Sequence, residues 1–246
     1  MITALFMGWT DPDSKQWFPI KKMTWHENKY YVVYLQGVLS AMELGESHRT
    51  LVRTGLVKLD RVEVSKDINV SFKPRMPVNR PFSDVEQLGR LGLSTNLNNF
   101  DPFEYVSRSS GRTIGDTYDL FPEVIPDLNG KYHFYFGSDY VEGLDISEYL
   151  LKICKASRDD RPQIKQRLNF KEKLIYHDNV LLGQAPGYIS NLIQDNPESV
   201  ELAIEKINHD VYKSGKVLCH ATVYRQINVP FSEFIYQPLA EISIGR

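Results

Sequence analysis

The sequence predicts a β-rich α+β protein, in which a small antiparallel N-terminal unit and a few short helices precede a second β unit of barrel or sandwich type. Runs of β-branched and aromatic residues near both ends of the chain, each bounded by turn residues, predict the strands. The helix signals between these runs are short. A chain of 246 residues with 42% apolar side chains can bury two modest cores, so we expect two domains.

The first forty residues predict three antiparallel strands. Along the chain these segments read LFMGW, WFPIKKMTW and KYYVVYLQGV, with the turn sequences DPDS and HEN between them. Between residues 70 and 82, Pro74, Pro77 and Pro81 fix φ and remove backbone donors. We therefore expect this stretch to be extended and irregular.

Two short helices are predicted before residue 111. The first lies in DVEQLGRLGLS. The second begins at Asp101, which can cap the first turn, with Pro102 at the first helical position and Glu104 three residues after the cap. Gly111 supplies a residue at which this helix can end.

Asn129 and Gly130 form a turn signal, and an alternating strand follows them. The strand sets Tyr132, Phe134 and Phe136 against His133 and Tyr135. We place the domain boundary at this turn. The N-terminal β-rich domain then spans residues 1–128, and the C-terminal domain spans residues 129–246.

The C-terminal domain is predicted to contain strands at about 149–155, 173–177 and 180–184, followed by a short helix after Pro186. A longer helix is predicted from residue 197 to about 212, because apolar side chains there recur at helical spacing. These side chains are Val200, Ile204, Ile207 and Val211. The final strand, KVLCHATVYRQI, alternates between two faces.

Composition and motifs exclude several functional classes. The net charge of -2 confines any nucleic-acid surface to a local patch. The chain has no GxxxxGK[ST] loop, GxSxG elbow or HExxH pair, its six histidines lack metal-ligand spacing, and Cys154 and Cys219 form no CxxC pair. We therefore predict a non-catalytic protein without a metal ion or other cofactor. The start of the chain lacks a signal-peptide pattern and no segment has membrane-spanning length, so we expect a cytoplasmic protein that does not bind membranes.

Two weaker patterns have structural interpretations. Tyr176-His177-Asp178 places an imidazole beside a carboxylate, but neighbours in a strand point to opposite faces, which favours a turn or strand-end role over catalysis. The glycines at 111 and 115 lack the lysine of a phosphate-binding loop, so a helix-ending turn is favoured there.

The clearest charge feature lies between Leu150 and Ile175, where basic residues exceed acidic ones by five. The basic residues are Lys152, Lys155, Arg158, Arg161, Lys165, Arg167, Lys171 and Lys173. Such patches contact phosphates, and the nearby Tyr176 and Tyr188 could stack on unpaired bases. The alternative is a solvated loop beside ordinary core aromatics.

The N-terminal unit is dense in aromatic residues, which are Trp9, Trp17, Phe18, Trp25, Tyr30, Tyr31 and Tyr34. Most aromatic side chains in a small β unit belong to its core. A surplus would suit a protein interface, because Trp and Tyr are favoured at binding hot spots.

Over about residues 100–240 the chain resembles bacterial HIRAN-domain proteins. The motifs that carry the resemblance are DPFEYVSRSSGRTIGDTYDLFPE, GKYHFYF with YVEGLD, VLLGQAPGYISNLI and FSEFIYQPL. The resemblance implies a modified OB-type β-barrel with one or two helices that recognises the 3′ end of single-stranded DNA. Gly183 and Tyr188, in GQAPGYIS, match positions of the family. The N-terminal half is similar to the N-terminal subdomain of HipA-type toxin kinases, without their kinase core.

One departure from the HIRAN pattern concerns the pocket for the terminal nucleotide. The family's Asn-x-x-Asp element has no match between Lys155 and Asn179, and Asp159 and Asp160 do not align with it. The leading hypothesis is a non-catalytic protein that binds single-stranded DNA or DNA ends. The alternative is a protein-interaction subunit, accessory or antitoxin-like, of a bacterial defence or mobile-element system with a degenerate DNA-end pocket.

Overall fold

The computed structural model describes residues 4–14, 16–35, 37–43, 62–76, 85–96, 100–111, 117–156, 167–171, 173–187, 189–190, 199–208 and 216–224. They form two compact units. The first unit contains the described residues up to 76 together with 101–123, and the second contains 85–100 and 124–224. The sequence had suggested a boundary between residues 128 and 129; in the structure the chain passes into the second unit after Glu123.

The first unit is built on a five-stranded antiparallel sheet. Its strands are β1 (Ala4–Thr10), β2 (Trp17–His26), β3 (Lys29–Tyr34), β4 (Glu63–Ser65) and β5 (Tyr118–Pro122), in the order β4-β3-β2-β1-β5. Helix α1 (Gly37–Glu43) and a 3-10 turn (Lys73–Arg75) also belong to this unit. The three predicted N-terminal strands are confirmed.

The hairpin between β2 and β3 turns at Glu27 and Asn28, whose φ angles are 48° and 59°. Positive φ at both central residues defines a type I′ turn, whose twist matches that of the flanking strands. Of the seven aromatic residues, Trp9 and Tyr34 are buried and the other five are half-buried, and the rings of Trp9 and Phe18 stack with centroids 5.9 Å apart.

Helix α3 (Pro102–Ser109) of this unit has the predicted cap. The Asp101 carboxylate accepts from the backbone N–H groups of Phe103 at 2.8 Å and Glu104 at 3.3 Å. The helix ends where Ser110 and Gly111 adopt left-handed φ angles of 59° and 55°. The described part of the proline-rich stretch is a 3-10 turn, which differs from the extended form expected; residues 77–81 lie outside the described residues.

The second unit contains a six-stranded antiparallel sheet. Its strands are β6 (Tyr132–Gly137), β7 (Arg167–Lys171), β8 (Leu174–His177), β9 (Val180–Gln184), β10 (Val200–Ile207) and β11 (Val217–Val223), in the order β6-β11-β10-β7-β8-β9. Helices α2 (Val85–Arg90) and α4 (Ser147–Ala156) also belong to this unit. The α+β class is confirmed, together with the predicted strands that begin near residues 132, 174, 180 and 217.

This sheet curls so that its two edges meet at one point. The first part of β7 pairs with β10 and the second part with β8, and a single bridge joins Asp139, just after β6, to Gln184 in β9. The bridge has Asp139 N donating to Gln184 O at 2.7 Å and Gln184 N donating to Asp139 O at 3.1 Å. Within the described residues the sheet does not close into a barrel.

The strand predicted at 149–155 is wrong, because these residues belong to α4. Buried Ile146, Leu150 and Ile153 recur at helical spacing, and Asp145 accepts from the backbone N–H of Ser147 at the start of the helix. The sequence prediction gave weight to the continuous apolar run and missed this period.

The long helix predicted from residue 197 to about 212 is also wrong, because Val200–Ile207 is strand β10. A bulge between Ile204 and Lys206 inserts one residue, so that Leu202, Ile204 and Ile207 all lie on the buried face. The extra residue turned an alternating pattern into one that resembles a helical stripe. Val211 lies outside the described residues. The short helix after Pro186 is present as a helical turn, in which Ser190 N donates to Pro186 O at 2.9 Å.

A chain of hydrogen bonds links buried Lys21 to half-buried Glu63 in the first unit. Lys21, which is fully buried, donates to Ser71 Oγ at 2.9 Å, and Ser71 Oγ donates to Asn69 Oδ1. Asn69 Nδ2 donates to one oxygen of Glu63, and Tyr34 donates to the other at 2.9 Å. Burial lowers the pKa of Lys21 to about 8, against the opposing effect of Glu63. Burial and the bond to Glu63 raise the pKa of Tyr34.

The buried lysine predicts that the protein becomes more stable in mild alkali. Between pH 7.5 and 9.5 the native state has lost more protons from Lys21 than the unfolded state, whose lysine keeps its ordinary pKa of 10.5. The free energy of unfolding should therefore rise by about 2 kcal/mol over this window. Above pH 10 the raised pKa of Tyr34 reverses the trend. Urea unfolding at several pH values measures this rise; Lys21→Met should remove most of it, and an equal rise in that variant would contradict the assignment.

Gly183 predicts a second effect on stability. Its φ is 152°, and a Cβ atom at this position would lie 2.7 Å from the backbone oxygen of Asp139. Gly183→Ala should lower the free energy of unfolding by about 2 kcal/mol or more. Gly130→Ala is the matched control, because Gly130 has a φ of 74° and open space around its Cα. That control should cost about 1 kcal/mol. Equal losses in urea unfolding would show that the close approach to Asp139 does not constrain the fold.

Candidate nucleic-acid interface

The six-stranded sheet of the second unit has an apolar inner face and a polar, aromatic outer face. Alternation along each strand separates the two faces. The inner face carries the buried residues Phe134, Phe136, Leu168, Ile175, Leu202, Ile204, Cys219 and Ala221. The outer face, here called the ring face, carries His133, Tyr135, Asn169, Lys171, Tyr176, Glu201, Ala203, His220 and Thr222.

Three rings form a continuous stack on this face. The centroids of Tyr135 and His220 lie 4.7 Å apart with an interplanar angle of 15°, and those of His220 and His133 lie 5.5 Å apart with an angle of 26°. Antiparallel pairing positions them, because Tyr135 lies opposite His220 and His133 opposite Thr222. Half-buried or exposed flat rings on a rigid sheet are the groups on which unpaired bases stack.

Hydrogen bonds fix the ring of His133 from both sides. Its Nε2 lies 3.2 Å from Asp127 Oδ2, and its Nδ1 lies 3.3 Å from Thr222 Oγ1. The backbone N–H of Lys131 donates to Asp127 at 2.9 Å and that of Asn129 at 2.8 Å. These backbone bonds, with a smaller contribution from His133, lower the pKa of the Asp127 carboxyl.

The strand register brings part of the predicted basic interval onto the ring face. Tyr135 lies opposite His220, His220 opposite Ala203 and Ala203 opposite Arg167, so Arg167 occupies the end of a row that starts with two rings. Only the backbone of Arg167 is described. Lys171 is four residues further along β7 on the same face, and it is exposed.

Tyr176 also lies on this face, opposite Asn169, and is half-buried. Three of the residues predicted to bind nucleic acid, separated by up to nine positions in the sequence, therefore share one face with the ring stack. These residues are Arg167, Lys171 and Tyr176.

Other predicted site residues lie elsewhere. Lys173 forms the turn between β7 and β8, with a φ of 72°. Lys152 and Lys155 are exposed on α4, a helix that packs through Tyr149 against His177, a residue of the inner face. Four further predicted residues lie outside the described residues, and these are Arg158, Arg161, Lys165 and Tyr188.

Gly183 has a structural role in the sheet. Its lack of a side chain permits the close approach of the Ser138–Asp139 backbone described above. The HIRAN resemblance predicts Gly183 as a nucleic-acid-binding position that matches the family; in the structure its close contacts are with the Ser138–Asp139 segment.

Acidic groups near the ring face are engaged by hydrogen bonds. Tyr224 donates to the carboxylate of Glu201, and the ammonium group of Lys131 lies 4.8 Å from the centroid of the Tyr224 ring. Asp127 is held as described above. The ring face therefore combines basic residues with carboxylates that have nearby donors.

The Tyr176-His177-Asp178 sequence lies at the end of β8. The Tyr149 hydroxyl lies 2.7 Å from Nδ1 of His177, while Asp178 and Asn179 have φ angles of 47° and 66° in the turn to β9. These angles define a type I′ turn, in agreement with the turn role predicted. Burial raises the pKa of the Tyr149 hydroxyl, with a smaller contribution from Asp178.

Ser71 and Lys21 lie within hydrogen-bonding distance, as in serine–lysine catalytic pairs, but their other contacts favour a structural role. The hydroxyl hydrogen of Ser71 is directed to Asn69. The backbone N–H groups of Ser71, Phe72 and Lys73 also bond to Asn69, so they are engaged and do not form an oxyanion hole.

Other types of site have little support in the part of the chain that the structure describes. A cavity of about 60 Å³ between α4 and the residues around Asn208 is far smaller than typical ligand pockets. No cluster of three or more His, Cys, Asp or Glu side chains is arranged there to hold a metal ion. None of the described helices has both the length and the apolar character needed to cross a membrane.

Sequence reasoning identified the alternation of β6 and β11 but not the ring stack. His133 and Tyr135 are separated from His220 by more than eighty residues, and only the strand order β6-β11 makes them neighbours. The available signal was the pair of alternating patterns, each with polar aromatic residues on one face.

Comparisons with protein-family models, curated proteins and solved structures found no match to this chain.

Proposed function

We propose that the second unit binds single-stranded DNA on the ring face, without catalysing a reaction. The observation that carries this proposal is the stack of Tyr135, His220 and His133, which shares its sheet face with the backbone positions of the basic residues Arg167 and Lys171. Rings supply stacking surfaces for bases, and basic side chains supply contacts for phosphates. Both are the usual components of sites for single strands.

A preference for 3′ ends is part of the proposal. It rests on the resemblance to HIRAN domains, which have a modified OB-type barrel. On this proposal, the curled six-stranded sheet is an open form of that barrel. Single-strand binding on the outer face does not require the missing Asn-x-x-Asp element. End recognition requires a further pocket, so the two properties can be lost separately.

Loss of stacking predicts a large fall in affinity. Tyr135→Ala should weaken binding of a fluorescent single-stranded oligonucleotide by about 5- to 150-fold, since one base–aromatic stack contributes roughly 1–3 kcal/mol. Tyr135→Phe retains the ring and should bind within about twofold of the original protein. Fluorescence anisotropy gives the dissociation constants, and urea unfolding verifies that both variants fold. Equal binding by the alanine variant would exclude the ring stack as the site.

The salt dependence of binding separates the ring face from other basic surfaces. Lys171→Gln should reduce the slope of log affinity against log salt by about 0.7, the expected loss for one phosphate contact to a single strand. Lys152→Gln removes the same charge from α4 and should leave the slope unchanged.

The same assay with 3′-tailed, 5′-tailed and blunt duplexes measures end preference. Equal affinity for all three duplexes would leave a generic electrostatic surface and contradict the preference for 3′ ends.

A second candidate function is a protein-interaction role for the first unit. Val62, Val64 and Val70, on and beside strand β4, have exposed fractions of 39%, 52% and 71%. Exposed apolar residues at the edge of a sheet can pair with an extended apolar segment of a partner chain. Val64→Lys would abolish the association with such a partner and leave DNA binding intact, whereas Tyr135→Ala would have the reverse effect.

A further inference from the structure

We propose that His133 and His220 make strand binding on the ring face depend on protons, so that the protein binds single-stranded DNA more tightly in mild acid. This inference rests on the proposed function and adds its regulation. The chemical reason is that each proton taken up by an imidazole adds a positive charge to a surface that meets phosphates.

The hydrogen bonds of His133 suit both of its protonation states. In the neutral ring, one nitrogen carries a hydrogen and donates it to Asp127 Oδ2, while the other accepts from the Thr222 hydroxyl. In the protonated ring, both nitrogens donate, and the hydroxyl rotates to accept instead. Proton uptake therefore breaks no hydrogen bond and moves no ring.

The position of His220 couples its charge to that of His133. Its ring lies between those of His133 and Tyr135, at 5.5 Å and 4.7 Å. Two charged imidazoles at this separation repel one another. A phosphate group that binds across the stack reduces the repulsion, so strand binding and protonation of the second ring favour each other.

The other charged groups around the two rings nearly balance. Asp127 and Lys131 precede β6, Tyr224 follows β11 and Glu201 lies on β10 opposite Thr222. On β7, Lys171 faces outward and Arg167 holds the register position opposite Ala203. Two carboxylates thus oppose three basic residues. One or two additional protons change this balance considerably, whereas they would have little effect on a strongly basic surface.

Imidazoles take up protons between about pH 5 and 8, a range in which the phosphates of DNA stay ionised. The test measures anisotropy with an oligothymidylate at pH 8.0 and pH 5.5 at constant ionic strength. We expect the dissociation constant of the original protein to fall about tenfold between the two. The ratio of the two constants, rather than either constant, is the readout, because both histidines belong to the binding face.

His133→Gln and His220→Gln should each reduce this ratio to about threefold or less, and the double variant should abolish it. His26→Gln is the matched control: His26 is exposed on the first unit, and its removal should leave the ratio unchanged. An unchanged ratio in the double variant would overturn the inference.

A second measurement uses the original protein alone and does not depend on the folding of any variant. Calorimetry of strand binding at pH 6.5 in buffers of different ionisation enthalpy counts the protons taken up. We expect about 0.5 to 1 proton for each strand bound. Binding without proton uptake overturns the inference and leaves the proposed function standing, whereas an absence of binding at both pH values overturns both.

Discussion

The curl of the six-stranded sheet depends on one close approach, between Gly183 in β9 and the Ser138–Asp139 segment after β6. The backbone bridge between Asp139 and Gln184 forms only because no side chain stands at residue 183. Strand β7 also contributes to the curl, because its first residues pair with β10 and its last residues pair with β8. Together these contacts give six short strands one common inner core.

The curled sheet has two faces of different composition. The inner face is filled mainly by phenylalanine, leucine and isoleucine side chains, and alternation places His133, Tyr135 and His220 of the same sheet on the outer face. Polar rings next to one another on that face are therefore a consequence of strand pairing, and their stacking follows from the register of β6 with β11. Arg167 of β7 lies on the same face, because it is paired with Ala203 of β10, which is paired in turn with His220 of β11.

The sequence predicted elements whose signals are local and regular. The cap at Asp101, the strands of the first hairpin and the alternating strand β11 each depend on residues within a few positions of one another. The sequence failed at β10, where the bulge after Ile204 replaced alternation with an apparent helical stripe, and at α4, where a continuous apolar run concealed a helical period. It predicted three members of the ring face from charge and aromatic content. It missed the ring stack itself, because His133 and His220 meet only through non-local pairing, which no local pattern specifies.

Each unit contains a chain of hydrogen bonds between charged or titratable side chains, and the two chains differ in their exposure to solvent. In the first unit, Lys21 and Glu63 are joined through Ser71 and Asn69, with Ser71 donating to Asn69 Oδ1 and Asn69 Nδ2 donating to Glu63. Lys21 is buried at one end of this chain, and burial lowers the pKa of its ammonium group to about 8. In the second unit, the side chains of Asp127 and His133 are 34% and 39% exposed, and the Thr222 hydroxyl can donate or accept. The hydrogen bonds of that chain can form in both protonation states of His133, so the two chains differ in solvent access: one ends on a buried lysine, and the other lies on the half-exposed outer face of a sheet.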